Sequence, residues 1–178
     1  TPLIIYDSVG RAVRTELPDG TVTRVEFDAW QQAHYDQNDT VLEDGNRWFS
    51  SRIAKPLNDP LHDAAVKAAA HANTPARQHL DVLGRPVLSL EDSGNGQPFP
   101  TRAEVDVEGN LRAVIDARGN TVMRYKYDML GNPVYQDSMD AGKRWLLTDA
   151  VGKPMRTWDE RGHEFQYFYD ILHRPTHS

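Results

Sequence analysis

Polar and apolar residues alternate along most of this chain in short runs. In Thr121–Tyr127, Met123, Tyr125 and Tyr127 fall on one side and Val122, Arg124 and Lys126 on the other, because strand side chains flip at every residue. Residues 21–28 repeat the layout, and residues 164–170 repeat it with more aromatics. Shorter runs at 12–14, 86–88, 133–135 and 154–158 begin just after turn-like segments. The prolines at 86, 133 and 154 fit the first residue of a strand or an edge. The pattern predicts a succession of half-buried strands.

What separates the strands is a recurring phrase: an apolar or aromatic residue, Asp, two variable residues, Gly, then a basic residue or Asn. It occurs at Asp7 with Gly10, Asp81 with Gly84, Asp106 with Gly109, Asp128 with Gly131 and Asp149 with Gly152. Related turns stand at Asp116 with Gly119 and Asp159 with Gly162, and degenerate copies at Tyr169-Asp170-Ile171-Leu172-His173-Arg174 and Met139-Asp140-Ala141-Gly142-Lys143. The aspartates at 106, 116, 128, 149, 159 and 170 step by 10, 12, 21, 10 and 11 residues, a unit of roughly 21 residues built from two halves. Each half is long enough for one strand and one tight turn. Asp opens a type I turn by accepting from the amide two residues on, and Gly three residues later supplies the positive φ that leads into the next strand. These Asp and Gly residues are therefore structural turn positions, and the chain should zigzag.

From Tyr35 to Gln78 the rhythm stops. Within this insertion residues 58–73 read as a helix: Asn58 or Asp59 as cap, Pro60 in the first turn, an alanine-rich body and Thr74-Pro75 as the stop. Leu61, Ala65, Ala68 and Ala72 make a thin apolar stripe suited to lie against the sheet.

Composition narrows the field. The 178 residues carry a net charge of −6, 39% hydrophobic and 26% charged residues and no cysteine. That charge argues against nucleic acid as the main partner, and the lack of cysteine excludes disulfides and thiolate metal sites. No apolar run reaches the length of a membrane-spanning helix. Thr1-Pro2-Leu3-Ile4-Ile5 starts in strand-like sequence, and Arg174-Pro175-Thr176-His177-Ser178 reads as an unfinished repeat, so a single repeat segment over 1–178 of a longer protein is expected.

Candidate chemistry is sparse. His62 and His71 are nine residues apart, on nearly opposite sides of the expected helix, and His79 lies beyond it. His163, His173 and His177 stand at turn or terminal positions. Glu104 with Asp106, and Asp159 with Glu160, are the carboxylate neighbours to weigh as an acid–base pair, yet Asp106 and Asp159 hold turn positions. Ser50, Ser51 and Ser138 have no G-x-S-x-G setting, and Gly94-Asn95-Gly96 reads as a loop without a following helix to cradle phosphate. No catalytic residue, metal ligand or cofactor is expected. Aromatics such as Trp30, Trp48, Trp145 and Trp158 either stabilise the sheet by cross-strand pairing or line a glycan- or protein-binding face.

Tyr125-x-Tyr127-Asp128-x-x-Gly131-Asn132, echoed by Tyr6-Asp7-x-x-Gly10-Arg11 and Tyr169-Asp170, resembles the YD repeat of the Rhs (rearrangement hot spot) family. Within it, Asn38-Asp39-Thr40-Val41, the end of the alanine-rich helix and residues 123–132 most resemble the B–C components of bacterial insecticidal toxin complexes. The resemblance implies a mainly β fold in which tandem hairpins form a curved strip of a larger hollow shell. It further implies a secreted bacterial toxin whose shell encloses a toxic C-terminal effector. The implied partners are neighbouring repeats, the enclosed effector and other toxin-complex subunits. Exposed sheet edges add self-association of the isolated segment as an expectation, and a cell-surface binding module is the alternative function.

Overall fold

The computed structural model describes residues 1–94 and 96–177. Asn95, at the centre of the loop expected at 94–96, and Ser178 lie outside them. The chain divides into two compact units, Thr1–Pro100 and the part from Thr101 onward. The first unit holds β1 (Leu3–Tyr6), β2 (Ala12–Glu16), β3 (Val22–Phe27), β4 (Gln31–Tyr35), α1 (Arg47–Ile53), α2 (Pro60–Ala69), β5 (Ala76–Leu80) and β6 (Pro86–Glu91). β7 (Phe99–Val105) leads into the second, followed by β8 (Leu111–Ile115), β9 (Thr121–Tyr127), β10 (Pro133–Ser138), β11 (Gly142–Thr148), β12 (Pro154–Asp159), β13 (Glu164–Gln166), β14 (Phe168–Tyr169) and β15 (Pro175–His177).

The fold is mainly β and antiparallel, with spatial order equal to chain order. In the first unit the order is β1-β2-β3-β4-β5-β6, in the second β7-β8-β9-β10-β11-β12-β13, and β14-β15 form a separate hairpin. The expected strand over 164–170 is divided, because β14 leaves the ladder shared with β12 and pairs with β15. The Asp–Gly hairpins share one register. The residue before Asp pairs with the residue two after Gly, as in Tyr6↔Ala12, Leu80↔Pro86, Val105↔Leu111, Tyr127↔Pro133 and Thr148↔Pro154, with a ladder irregularity at each. This is a type I turn whose left-handed glycine forms a bulge, the connection that matches strand twist in a three-residue loop.

The expected helix is α2, shorter than 58–73. Asp59 is its cap, its carboxylate accepting from Leu61 N at 2.8 Å, and Pro60 occupies the first turn. It stops at Ala69 because the chain is captured beyond it: Asn73 takes φ 60° and its amide donates to Asp39 O at 2.9 Å. A second helix, α1, was not expected; Asn46 caps it by accepting from Phe49 N at 2.9 Å. The two helices pack on each other, and Ala65 of the apolar stripe is fully buried.

The insertion is fastened to the first unit by buried polar groups. Thr40, fully buried, donates from Oγ1 to Val22 O at 2.6 Å. Asp39 accepts from Asp36 N at 2.7 Å and from Thr74 N and Oγ1 at 3.0 and 2.9 Å, which joins the two ends of the insertion. Glu43 sits between Arg14 (2.9 Å) and Arg24 (2.5 Å), and Arg24 stacks on Tyr35 with its guanidinium carbon 3.5 Å from the ring centre. Val22, Ala33, Tyr35, Val41 and Ala65 form the apolar core here, whereas in the second unit Ala113 alone among the described residues is a buried apolar side chain. That unit is a single sheet layer without a core of its own.

Candidate functional site

The repeated Asp–Gly turn is the one arrangement built again and again, and one carboxylate organises each copy. In the turn at Asp128, its amide donates to Asn132 O at 3.0 Å and Gly131 N donates back to Asp128 O at 3.2 Å, which closes the backbone. Its Oδ1 accepts from the amides of Leu130 and Asn132, both at 2.9 Å. Its Oδ2 accepts from Asn132 Nδ2 at 3.0 Å. The backbone pair recurs at the other Asp–Gly turns, while the degenerate turn expected at 139–143 closes differently, with Ser138 opposite Gly142 and Ala141 N donating to Ser138 Oγ at 3.2 Å. The amide of Gly10 donates to Asp7 O at 3.1 Å, Gly84 to Asp81 at 2.9 Å, Gly109 to Asp106 at 3.1 Å and Gly119 to Asp116 at 3.0 Å. Gly152 donates to Asp149 O at 3.0 Å and Gly162 to Asp159 O at 3.2 Å. Gly10, Gly84, Gly109, Gly119, Gly131, Gly152 and Gly162 all take a positive φ, from 77° at Gly84 to 95° at Gly109. At Asp170 the same pair forms with His173 in the glycine's place, at φ 56°. Oδ1 spans the same two amides throughout: Val9 and Arg11, Leu83 and Arg85, Glu108 and Asn110, Arg118 and Asn120, Val151 and Lys153, Arg161 and His163, Leu172 and Arg174.

The residue after the glycine completes the site, a role the spacing alone left unexplained. Arg11, Arg85 and Arg174 reach Oδ2 through Nε at 2.6–2.7 Å, His163 through Nδ1 at 2.7 Å, and Asn110 and Asn120 through the side-chain amide at 3.2 and 3.1 Å. Arg, Asn and His are interchangeable here because each presents an N–H at the same reach. Asp149 departs from the rule. Lys153 turns its ammonium to the carbonyl of His173, and the His173 ring instead approaches Asp149 Oδ2 at 3.6 Å.

These bonds favour the charged carboxylate. The amide of the fifth residue holds the carboxyl below its usual range at Asp7, Asp81, Asp149 and Asp170; the side chain of that residue leads at Asp116, Asp128 and Asp159. At Asp106 partial desolvation pushes upward and the Asn110 amides outweigh it. All eight carboxylates are ionised near neutrality and committed to donors.

The tyrosine before Asp does separate work. Tyr127 donates from its hydroxyl to Leu111 O at 2.9 Å, and Tyr169 to Pro154 O at 2.8 Å. Each acceptor lies two residues past the glycine of the preceding hairpin on the same side of the sheet, Gly109 for Tyr127 and Gly152 for Tyr169, so the hydroxyl pins one repeat to the one before it. Along that side Asn110 lies beside Gly131 and Asn132 beside Gly152, their Oδ1 atoms 3.6 and 3.4 Å from where a Cβ on each glycine would stand.

Two turns escaped the pattern. Leu17-Pro18-Asp19-Gly20 has the same backbone with Leu in the Asp place, while Asp19 accepts from the amide and hydroxyl of Thr21 at 3.0 and 2.7 Å. Asp28-Ala29-Trp30-Gln31 is a tighter hairpin in which Asp28 accepts from Trp30 N at 2.7 Å. Gly20, placed like the other turn glycines before an alternating strand, was the available signal for the first.

The other candidates do not gather into a reaction centre. Asp159 is held by His163, while Glu160 accepts from Lys143 N at 3.2 Å across the sheet end. Among the described residues no three His, Cys, Asp or Glu side chains converge as metal ligands. Trp145 stands opposite Trp158 and packs on Tyr135 with ring centres 5.6 Å apart, while Trp30 is exposed.

No protein-family model and no curated protein sequence matches the chain. Its fold is that of antiparallel strips found in solved bacterial toxin complexes. The Photorhabdus luminescens Tc holotoxin pore carrying the TccC3-D651A mutation is 24% identical over 95% of this chain and 8% of that one, with a TM-score of 0.74. The TcdB2-TccC3-Cdc42 and TcdB2-TccC3 crystal structures give the same identity and coverage at TM-scores of 0.75 and 0.72. The likeness establishes the fold, and the chain spans 8% of the length of those structures' chains.

Gly131 has φ 80°, a region closed to β-branched residues, so Gly131→Val should destabilise by about 1–3 kcal/mol in chemical denaturation. An unchanged midpoint would contradict the turn's role. Because the eight aspartate pKa values are depressed on folding, their contribution is fully present above the ordinary value near pH 4 and is lost as pH falls through the lowered ones. The melting temperature should therefore be flat from about pH 7 to 5 and fall steadily below about pH 4; a profile level to about pH 2.5 would contradict the shifts.

Proposed function

We propose that this chain is a nonenzymatic scaffold segment of an Rhs-type toxin shell, of the kind found in the B–C components of insecticidal toxin complexes. The observation that carries the reading is a single-layer sheet, nearly coreless in its second unit, that shares its fold over 95% of its length with Tc toxin structures. A layer that buries so little apolar surface has its use as wall: it separates two sides rather than folding around a core. Residues 1–178 form one YD-repeat segment of a larger protein, with 35–78 as a helical decoration. The turn positions are structural at Asp7 and Gly10, Asp81 and Gly84, Asp106 and Gly109, Asp116 and Gly119, Asp128 and Gly131, Asp149 and Gly152, and Asp159 and Gly162, since every carboxylate is occupied by backbone and neighbouring side chains. The shell's partners are neighbouring repeats, other toxin subunits and a C-terminal effector that it encloses, and the whole is secreted by a bacterium.

Limited proteolysis of the parent protein with intact-mass analysis tests this. The segment C-terminal to the repeats should resist protease until the repeats are denatured. Its ready digestion while the repeats stay intact would remove the containment reading.

A further inference from the structure

The insertion reaches beyond its own connection. Successive connections of an antiparallel strip fall on alternate sides, so the turn between β2 and β3, the insertion between β4 and β5, and the segment after β6 stand on one side of the first unit. α1 begins directly on the first of these. Trp48 N donates to Gly20 O at 3.4 Å, and a Cβ on Gly20 would stand 2.9 Å from Arg47 Cβ. The end of the insertion meets the third. A Cβ on Gly94 would stand 3.4 Å from Ala70 O and 3.6 Å from Thr74 Cγ2.

A continuous line of bonded groups joins the two contacts. Asn46 caps α1 with Oδ1 and donates from Nδ2 to Thr40 O at 3.1 Å, so the helix that sits on Gly20 and the Thr40 anchor on Val22 are one piece. Asp39, next in line, holds Asn73 and Thr74 at the far end. Glu43 ties the same stretch to β2 through Arg14 and to β3 through Arg24. Thr40, Asp39 and Asn46 are buried, so pulling any one of them from its partner leaves a polar group unpaired away from water. The opposite side has no such line: a Cβ on Gly10 or Gly84 would meet nothing within 4 Å.

Strands in a single layer open locally wherever a connection loosens, because each hairpin rests only on its neighbours. A connection that grips the turns two strands away on both sides removes that freedom. We propose that the insertion is a brace that locks three successive connections on one side, so that the first unit opens as one cooperative block while the hairpins of the second unit open one at a time. The second unit carries no insertion, and tight turns alone return its strands from β7 to β13. The brace stands independently of the shell reading.

Native-state hydrogen exchange of the full chain under rising denaturant, read residue by residue by NMR, tests the proposal. The amides of Leu17, Trp48 and Asn73 donate to Thr21 O, Gly20 O and Asp39 O, one in each part of the braced line. They should open together, with one shared denaturant dependence, whereas the turn amides of Asp106, Asp128 and Asp149 should open separately. Gly20→Ala and Gly10→Ala impose the same left-handed strain, at φ 87° and 85°, so their difference reads the brace. Gly20→Ala should raise exchange about tenfold or more at Asn73 as well as at Leu17, and Gly10→Ala should leave Asn73 unchanged. Independent opening of Leu17, Trp48 and Asn73 in the wild type would overturn the proposal. So would an effect of Gly20→Ala confined to residues 17–21.

Discussion

Everything in this molecule hangs on one carboxylate accepting three hydrogen bonds inside a five-residue turn. A sheet one layer thick cannot rely on a core, so each strand must be returned in register by its own connection. The turn aspartate does this by joining both backbone amides that would otherwise face solvent unpaired and by ordering the side chain that follows the glycine. Because the same geometry recurs, each hairpin sets the position of the next with little help from distant packing. Contacts are therefore local or between adjacent hairpins, as in other repeat architectures.

Two devices turn separate hairpins into a strip. The tyrosine hydroxyl crosses to the carbonyl just past the preceding turn on the same side, seen at Tyr127 and Tyr169. Lys153 and His173 add a second link beside Tyr169, joining the turn at Asp149 to the turn at Asp170. The first unit adds another kind of support. Its insertion buries Thr40 and Asp39 and sets Glu43 between two arginines, giving this part the compact core that the second unit lacks.

Much of this was legible in the amino-acid order, because turn geometry imposes residue types directly. Asp and Gly three apart, between alternating runs, specify a turn without knowledge of anything distant, and Asp81 with Gly84, Asp106 with Gly109 and Asp116 with Gly119 all close as that spacing requires. The basic residue or Asn after the glycine was visible as part of the phrase, but its partner was not, since Arg, Asn and His share only the reach of an N–H. Tyr127's partner lies 16 residues away, a relation no local pattern contains. The turn at Leu17–Gly20 was hidden because its first position has no carboxylate, and α1 was hidden because seven residues leave little periodicity to read. The end of α2 depended on Asp39, more than thirty residues earlier, drawing in Asn73 and Thr74.

The scaffold role proposed above suits a sheet assembled from such turns, because the carboxylates that define them are occupied by their donors. The claim beneath this account is that the turn aspartates remain charged because their hydrogen bonds favour the anion. Carbon-13 titration of the aspartate side-chain carboxyls by NMR measures that directly. The account predicts that Asp7, Asp81, Asp106, Asp116, Asp128, Asp149, Asp159 and Asp170 all titrate below the ordinary aspartate value near 3.9, as a group apart from aspartates outside these turns. Titration of these eight at or above that value would contradict it.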